Sequence, residues 1–215
     1  MKIYDLIFIV LITMISTPTE AYENKNNIEI IAIGTSLTKR GIWLEELSNE
    51  LSKCLSAPVK HLNFGYPGRN IEYGLSQLDL ILKNRADFFL IEFSVNDADL
   101  IKGVTFTKSK EQTTTLINNI RTTYPEAKII MMKMNPALGL KKVMRPRLKS
   151  FYDIYDQFAT LHNVFVIDFY EKWESILSDE LKENIPDGIH PAPTYAARVM
   201  VPPLLKLLSN ENCTN

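Results

Sequence analysis

Short apolar segments alternate with longer amphipathic ones from residue 28 onward, and this alternation constrains the fold more than any other feature. Runs rich in apolar and β-branched residues predict strands, most of them buried on both faces, at 28–33, 59–63, 88–93, 128–134 and 164–168. Helices are predicted between and after them, at 43–55, 71–82, 109–124, 148–162 and 194–208. With right-handed crossovers, this order predicts an α/β fold, a three-layer α/β/α sandwich around a doubly wound parallel sheet of about five strands.

Length and charge are those of an ordinary globular protein. The 215 residues suit one domain with a single core, and 24 basic side chains nearly balance 25 acidic ones. A nucleic-acid partner would require a basic surface, so none is expected. The three histidines lie in unrelated surroundings that match no zinc pattern, and we expect neither a metal nor an organic cofactor.

The first 21 residues have the order of a secretory signal peptide. Lys2 precedes a run at 6–15 that is apolar except for Thr13, and Ala21 ends a polar stretch that can serve as a cleavage site. The run is too short to span a bilayer comfortably, and an uncleaved anchor or a buried first strand are the alternatives. We expect 1–21 to be a signal peptide or N-terminal anchor. The protein would then be exported, to the periplasm or the exterior, with no stable membrane insertion beyond this segment.

The two cysteines, Cys54 and Cys213, lie in a predicted helix and at the extreme C-terminus. An exported protein can pair its cysteines, but the end of the chain is expected to be mobile and the spacing fits no metal site. The sequence therefore predicts that both cysteines are incidental.

A serine follows the first predicted strand, in the sequence Gly34-Thr35-Ser36. Functional groups of doubly wound folds gather at the carboxyl ends of strands, so the Ser36 hydroxyl is expected to project into the functional crevice. Its backbone N–H would lie at a helix N-terminus, which favours the negative charge that develops during acyl transfer. The alternative is a serine that only caps the helix.

The next two predicted strands are followed by groups that can donate hydrogen bonds. A turn containing Gly65 and Gly68 follows the second strand, and glycine lets a substrate oxygen approach a backbone N–H closely. Asn96, in Val95-Asn96-Asp97 after the third strand, carries a side-chain amide that can donate into the same crevice. The alternatives are an ordinary glycine–proline turn and a capping Asn-Asp pair.

Near the C-terminus, Asp187 stands three residues before His190 on a segment that proline and glycine make rigid. The carboxylate can bind one imidazole nitrogen, which leaves the other free to accept a proton from a serine. The other two histidines, His61 and His162, lie in or beside predicted core elements, where a packing role is expected.

In this order, Gly-x-Ser-Leu, the glycine turn, Val-Asn-Asp and Asp-x-x-His resemble the four sequence blocks of the SGNH hydrolases, also called GDSL-like hydrolases. The resemblance covers essentially all of residues 22–215 and implies an SGNH-type hydrolase domain with a flavodoxin-like sandwich.

The resemblance also implies a role for each of these groups. Ser36 would be the nucleophile, His190 the general base and Asp187 the group that orients it. The oxyanion hole would consist of the backbone N–H groups of Ser36 and Gly68 and the side-chain amide of Asn96.

The implied activity is hydrolysis of carboxylic esters, although two residues depart from the family pattern. Thr35 stands where the first block usually has Asp, and Ser94 stands where the third block usually has Gly. Neither change removes a group that performs acyl transfer. A compact domain without an obvious lid favours short acyl groups, and export makes O-acetyl groups on carbohydrate a candidate substrate. Two alternatives are an acyltransferase that uses a sugar hydroxyl as acceptor and a non-catalytic carbohydrate-binding relative.

Overall fold

The computed structural model describes residues 27–161 and 164–213. The predicted signal peptide or anchor at 1–21 and His162 lie outside the described residues. The strands are β1 (Ile28–Gly34), β2 (Val59–Gly65), β3 (Phe88–Ile91), β4 (Lys128–Lys133) and β5 (Phe165–Asp168). The helices are α1 (Ser36–Arg40), α2 (Trp43–Leu55), α3 (Ile71–Ser76), α4 (Leu78–Ile81), α5 (Ser94–Asp97), α6 (Phe106–Thr123), α7 (Gly139–Val143), α8 (Leu148–Leu161), α9 (Phe169–Glu174), α10 (Ser178–Asn184) and α11 (Pro193–Leu208).

The described strands form one parallel sheet in the order β2-β1-β3-β4-β5. Ile30 of β1 pairs with His61 of β2 on one side and with Phe88 of β3 on the other. The chain therefore winds from β1 to one edge of the sheet, returns past β1 and continues to the other edge. This arrangement places a crevice at the carboxyl ends of β1 and β3, where the strand order reverses. The predicted doubly wound, flavodoxin-like α/β/α sandwich is confirmed.

The central strands carry the core, because helices cover them on both faces. All four residues of β3 are buried, and so are all but one of the seven in β1. A fully buried isoleucine such as Ile30 contributes about 1.5–3 kcal/mol through removal of apolar surface from water. The first five residues of the edge strand β2 instead alternate between half-buried and exposed, since only one face of the strand is covered there. His61 is one of its half-buried residues.

The long helices were predictable, but their ends differ from the prediction. The helix predicted at 109–124 begins three residues earlier, because the Thr105 hydroxyl accepts a hydrogen bond from the Lys108 N–H at 3.1 Å. Ser109, the first residue of the predicted helix, is therefore not its N-cap. Ser109 is buried inside the helix, and its hydroxyl donates to the Asp97 carboxylate at 2.6 Å.

The helix predicted at 71–82 is divided into α3 and α4, which meet at Gln77. Four short helices, α5, α7, α9 and α10, were not predicted, because segments of four to seven residues are too short to show a helical period. Helix α1 begins at Ser36, where the sequence indicated a helix N-terminus. Within residues 27–161 and 164–213, no helix combines the length and the apolar character that a membrane crossing requires.

The prediction that the cysteines are incidental was wrong, because Cys54 and Cys213 form a disulfide with a Cα–Cα distance of 5.9 Å. Helix α11 packs along α2, so the ends of these two helices lie near each other. After α11 the chain turns back through two residues with positive φ, Asn210 and Glu211. The Cys213 N–H then donates to the Ser209 hydroxyl at 3.1 Å, which fixes the last turn next to α2.

Candidate active site

Ser36 is the first residue of α1, directly after the turn that ends β1. The Thr35 side chain caps this helix by accepting a hydrogen bond from the Leu37 N–H at 3.2 Å. The Ser36 side chain is thereby directed out of the carboxyl end of the sheet, and the residue is 8% exposed. Because the first N–H groups of a helix lack an acceptor one turn back, the Ser36 N–H is suited to bind an anion.

The loop between α10 and α11 brings His190 to this serine. The distance from His190 Nε2 to Ser36 Oγ is 2.7 Å, and the distance from His190 Nδ1 to Asp187 Oδ2 is 2.6 Å. The other Asp187 oxygen accepts hydrogen bonds from the backbone N–H groups of Ile189 at 2.9 Å and His190 at 2.7 Å. The structure therefore brings all three residues into one hydrogen-bonded chain.

The Asp187 carboxylate remains ionised in this chain. Partial burial alone would raise its pKa, but the hydrogen bonds from the His190 backbone, the His190 ring and the Ile189 backbone outweigh burial and lower the pKa to about 2. An ionised carboxylate only accepts hydrogen bonds, so His190 Nδ1 carries a proton. His190 Nε2 is then the acceptor for the Ser36 hydroxyl, which is the tautomer that a general base requires.

The loop that carries Asp187 and His190 is held by two hydrogen bonds from the segment that follows β4. The Asn135 side chain donates to the Ile189 carbonyl at 2.9 Å. The Leu138 N–H donates to the Gly188 carbonyl at 2.8 Å. Helix α11 begins directly after the loop, so the histidine is fixed between α11 and the segment that follows β4.

The two remaining predicted residues, Gly68 and Asn96, lie in the loops that follow β2 and β3. Gly68 has a φ of +70°, which a residue with a Cβ rarely adopts, and a Cβ there would meet no other atom within 4 Å. The Asn96 amide nitrogen donates to the Arg69 carbonyl at 2.7 Å, so the two loops are joined next to Gly68. An amide nitrogen has a second hydrogen, which remains available for a substrate oxygen.

These two loops flank the turn that carries Ser36. The Tyr66 N–H donates to the Gly34 carbonyl at 2.8 Å, and the Glu92 N–H donates to the Ile33 carbonyl at 3.0 Å. The carboxyl ends of β2, β1 and β3 are thus adjacent. The roles of Gly68 and Asn96 as oxyanion donors remain predictions.

Three polar residues near the site have contacts that the sequence did not indicate. Arg145 is buried, and its guanidinium donates to the Val95 carbonyl at 2.7 Å and to Asp99 at 2.6 Å, which anchors the loop after β3. The Ser94 hydroxyl donates to the Phe151 carbonyl at 3.1 Å, toward α8.

Glu92, the third of these polar residues, follows directly after β3, and 1% of its surface is exposed. Its carboxylate accepts hydrogen bonds from Thr35 and Thr38, on either side of the serine. Strand pairing alone brings these segments together, so no local sequence signal marks the contact.

A mostly apolar cavity of about 230 Å³ opens beside Ser36 and His190. It lies between α1, the end of β4 and the start of α11. Its other lining residues are Leu37, Arg40, Gly41, Met134, Asn135, Pro191, Pro193, Ala196 and Met200. Among the described residues there is no group of three or more side chains that could hold a metal ion.

The family model described as GDSL-like Lipase/Acylhydrolase matches residues 32–197. A lipase/acylhydrolase from Enterococcus faecalis is 23% identical, with a TM-score of 0.69, over 84% of this chain and 96% of that chain. Axe2, an acetylxylan esterase from Geobacillus stearothermophilus, is 16% identical with a TM-score of 0.69, over 87% and 95% of the two chains. The structure of TesA is 21% identical with a TM-score of 0.66, over 84% and 99%. These structures share the fold. No curated protein matches the chain.

Proposed function

The chain belongs to the GDSL-like lipase/acylhydrolase family of ester-hydrolysing serine hydrolases, and we propose that Ser36 is the nucleophile with which it hydrolyses carboxylic esters. The observation that carries this proposal is the hydrogen-bonded chain from Ser36 through His190 to Asp187, with distances of 2.7 and 2.6 Å. A general base must lie within about 2.6–3.2 Å of the group whose proton it takes. The distance of 2.7 Å from His190 Nε2 to Ser36 Oγ meets that requirement, and the hydrogen bond from His190 Nδ1 to Asp187 orients the base.

The first half of the reaction forms an acyl-enzyme. His190 Nε2 takes the proton of the Ser36 hydroxyl while Ser36 Oγ forms a bond to the carbonyl carbon of the ester. The ionised Asp187 carboxylate stabilises the imidazolium that results. When the tetrahedral intermediate collapses, the bond to the alcohol oxygen breaks, and that oxygen takes the proton from His190 Nε2. The alcohol leaves, and the acyl group remains on Ser36.

Water completes the cycle by the same proton transfers. His190 accepts a proton from the water as its oxygen bonds to the acyl carbon, and the bond to Ser36 Oγ then breaks. The oxygen of Ser36 regains the proton, and the carboxylic acid is released. The steps consume one ester and one water, and they return the enzyme to its starting state.

The oxyanion of both intermediates would be bound by the backbone N–H groups of Ser36 and Gly68 and by the Asn96 amide. The open space around Gly68 and the second Asn96 hydrogen support this assignment. Ser36 and Asn96 are buried, and hydrogen bonds to a developing charge are stronger where water is excluded.

The cavity beside Ser36 suggests the size of the acyl group. Its volume of about 230 Å³ is larger than the roughly 150 Å³ of a cavity that binds benzene, so it encloses room for an acyl chain of about six to nine carbons. Its apolar lining suits a hydrocarbon chain. We therefore favour short acyl groups over long fatty acyl chains. The acetyl group of an O-acetylated carbohydrate is the smallest member of this set, and the fold shared with the acetylxylan esterase Axe2 makes such a substrate worth testing.

We also propose that the protein is exported, as the first 21 residues suggest. The disulfide between Cys54 and Cys213 supports this, because disulfides persist in oxidising compartments. Fractionation of cells that express the full chain tests the proposal. Protein that is found only in the cytoplasmic fraction, with its disulfide intact, would contradict export.

The enzymatic proposal is tested by steady-state hydrolysis of p-nitrophenyl esters with acyl chains from two to sixteen carbons. We expect the full-length protein to release acyl groups to water without an added acceptor, with rates that fall beyond about nine carbons. The Ser36→Ala variant should lose nearly all activity, whereas Ser150→Ala, which changes an exposed serine on α8, should retain it. Activity that appears only after a sugar acceptor is added would favour the acyltransferase. A folded wild-type protein without either activity would contradict the proposal.

A further inference from the structure

Glu92 is a buried carboxylate beneath the turn that carries Ser36, and none of the acyl-transfer steps uses it. It follows directly after β3, and its backbone N–H continues the pairing of β3 with β1. Only 1% of its surface is exposed. Among residues 27–161 and 164–213 no basic side chain forms an ion pair with Glu92. A buried carboxylate that lacks such a pair is costly in free energy, so its contacts require an explanation.

In the described part of the chain, the hydrogen bonds to the Glu92 carboxylate come from the turn that carries Ser36. Glu92 Oε1 accepts hydrogen bonds from the Thr35 N–H at 2.6 Å and from the Thr38 hydroxyl at 2.8 Å. The Thr35 hydroxyl lies 3.0 Å from Oε1 and 3.1 Å from Oε2. These donors stand on either side of Ser36 in the chain, so a single carboxylate fixes both ends of the segment that carries the nucleophile.

The approach of Glu92 to this turn is close enough to require a glycine. A Cβ at Gly34 would clash with Glu92 Oε1 and with the Thr38 hydroxyl. The first family block usually has an aspartate at the position of Thr35. Here a carboxylate reaches the same turn from the neighbouring strand, and Thr35 serves as its hydrogen-bond donor.

We propose that Glu92 is a positioning residue, which holds the turn from Gly34 to Thr38 so that Ser36 Oγ stays within reach of His190. This inference rests on the proposed function of Ser36. Protonation of Glu92 removes part of its capacity to accept hydrogen bonds, which loosens the turn and lowers the reactivity of Ser36.

The charge of Glu92 is poised to change near neutral pH. Burial raises the pKa of Glu92, the hydrogen bonds from Thr35 and Thr38 lower it, and the net result is a pKa of about 7. The titratable groups that interact with its charge are two buried phenols of α8, Tyr152 and Tyr155, whose pKa values burial raises further from neutrality. Neither phenol titrates near pH 7.

Arg145 and Asp97 also act on these phenols. Arg145 lowers the pKa of Tyr152, and Asp97 raises the pKa of Tyr155. Asp97 has a pKa of about 6, raised by burial and lowered by hydrogen bonds from Ser109 and Ile71. The titration of Asp97 must therefore be distinguished from that of Glu92. Substitution of Glu92 does this, because it removes only the Glu92 titration.

The test measures two rates across pH 5 to 9 in the full-length protein. One is kcat/KM for p-nitrophenyl butyrate. The other is the rate at which diisopropyl fluorophosphate modifies Ser36, a reaction in which Ser36 Oγ bonds to phosphorus and fluoride leaves. The second rate reports the reactivity of the serine even if no ester substrate is found.

We expect Glu92→Gln to lower both rates by about tenfold at pH 8, the scale expected when a reacting atom shifts by less than 1 Å. KM should change little. The part of the decline in both rates that occurs near pH 7 as the solution becomes more acidic should be absent from this variant. Thr38→Val removes one hydrogen bond that lowers the pKa of Glu92, so its acid limb should move to higher pH. Glu126→Gln changes an exposed carboxylate and should match the wild type in both rates.

Two results would overturn the proposal. One is a Glu92→Gln variant with a lower melting temperature but an unchanged pH profile and modification rate, which would make Glu92 purely structural. The other is a Thr38→Val profile that coincides with the wild type. A separate result is a wild type that hydrolyses no ester while diisopropyl fluorophosphate still modifies Ser36, more slowly in Glu92→Gln and at the wild-type rate in Glu126→Gln. In that case the substrate assignment fails and the role of Glu92 stands.

Discussion

Two carboxylates flank the nucleophile, and they differ in charge although each accepts hydrogen bonds from three donor groups. Asp187 accepts from two backbone N–H groups and the His190 ring, and its side chain is 51% exposed. Glu92 accepts from one backbone N–H and two hydroxyls, and it is buried. The pKa is about 2 for Asp187 and about 7 for Glu92.

The difference shows that solvent exposure, rather than the number of donors, decides which carboxylate is permanently ionised. Burial raises the pKa in both cases, but only in Glu92 does it exceed the effect of the hydrogen bonds. Asp187 therefore keeps its charge down to about pH 2 and can stabilise a cationic His190. Glu92 loses its charge within the range in which an enzyme works.

The largest effect is expected from Asp187→Asn, which removes the permanently ionised carboxylate. The amide cannot hold His190 in the required tautomer, and kcat should fall by about ten-thousandfold, as it does when the aspartate of a serine-protease triad is replaced. Steady-state kinetics with a p-nitrophenyl ester measure the loss. Asp179→Asn, at an exposed site on α10, is the matched control. A loss of less than tenfold would mean that Asp187 does not orient the histidine.

Gly34→Ala tests the contact between the Glu92 carboxylate and the turn that carries Ser36, because it adds a methyl group at that contact. The added methyl group would push against Glu92 and Thr38, so we expect at least about a tenfold loss of kcat and a cost of about 1–3 kcal/mol in stability. The cost should be smaller when Glu92 is replaced by Ala, because one of the two clashes is then removed. A double-mutant cycle measures this coupling, and purely additive effects would contradict the contact.

The pH dependence of stability separates the two carboxylates by sign. The folded-state pKa of Glu92 lies above its ordinary value of 4.5, so the folded protein binds more protons between pH 4.5 and about 7, and the free energy of unfolding falls as pH rises through that window. The folded-state pKa of Asp187 lies below its ordinary value of 3.8. Its contribution is therefore present above that value and lost as pH falls toward about 2.

Urea unfolding between pH 3 and 8 measures these slopes. Glu92→Gln should remove the decline between pH 4.5 and 7, apart from any contribution of Asp97, and Asp187→Asn should leave that decline unchanged. An undiminished decline in Glu92→Gln would assign the titration to another buried group.

The smallest effect on activity is expected from removal of the disulfide. Replacing Cys54 and Cys213 by serine should lower stability by about 2–5 kcal/mol, because the bond closes a long loop of the unfolded chain. Activity at 25 °C and its pH profile should be unchanged, since the bond joins α2 to the end of the chain. This variant therefore also tests whether lost stability alone can alter the pH profile. A shifted profile would weaken the interpretation of Glu92→Gln.

The fold and the residues of the candidate triad were predictable, because their signals are local in the sequence. Apolar segments mark the strands, and Ser36, Asn96 and the Asp187–His190 pair each stand in a short motif. The role of Glu92 and the disulfide were not predictable in this way. The first depends on the pairing of β1 with β3, and the second depends on the packing of α11 along α2.

Intact-protein mass spectrometry of the enzyme, quenched in acid during turnover of p-nitrophenyl hexanoate, shows whether Ser36 carries the acyl group. We expect a mass increase of one hexanoyl group on the wild type, located by peptide mapping on Ser36 and absent from Ser36→Ala. An acyl group on another residue, or continued turnover by Ser36→Ala, would contradict the role of Ser36 as nucleophile.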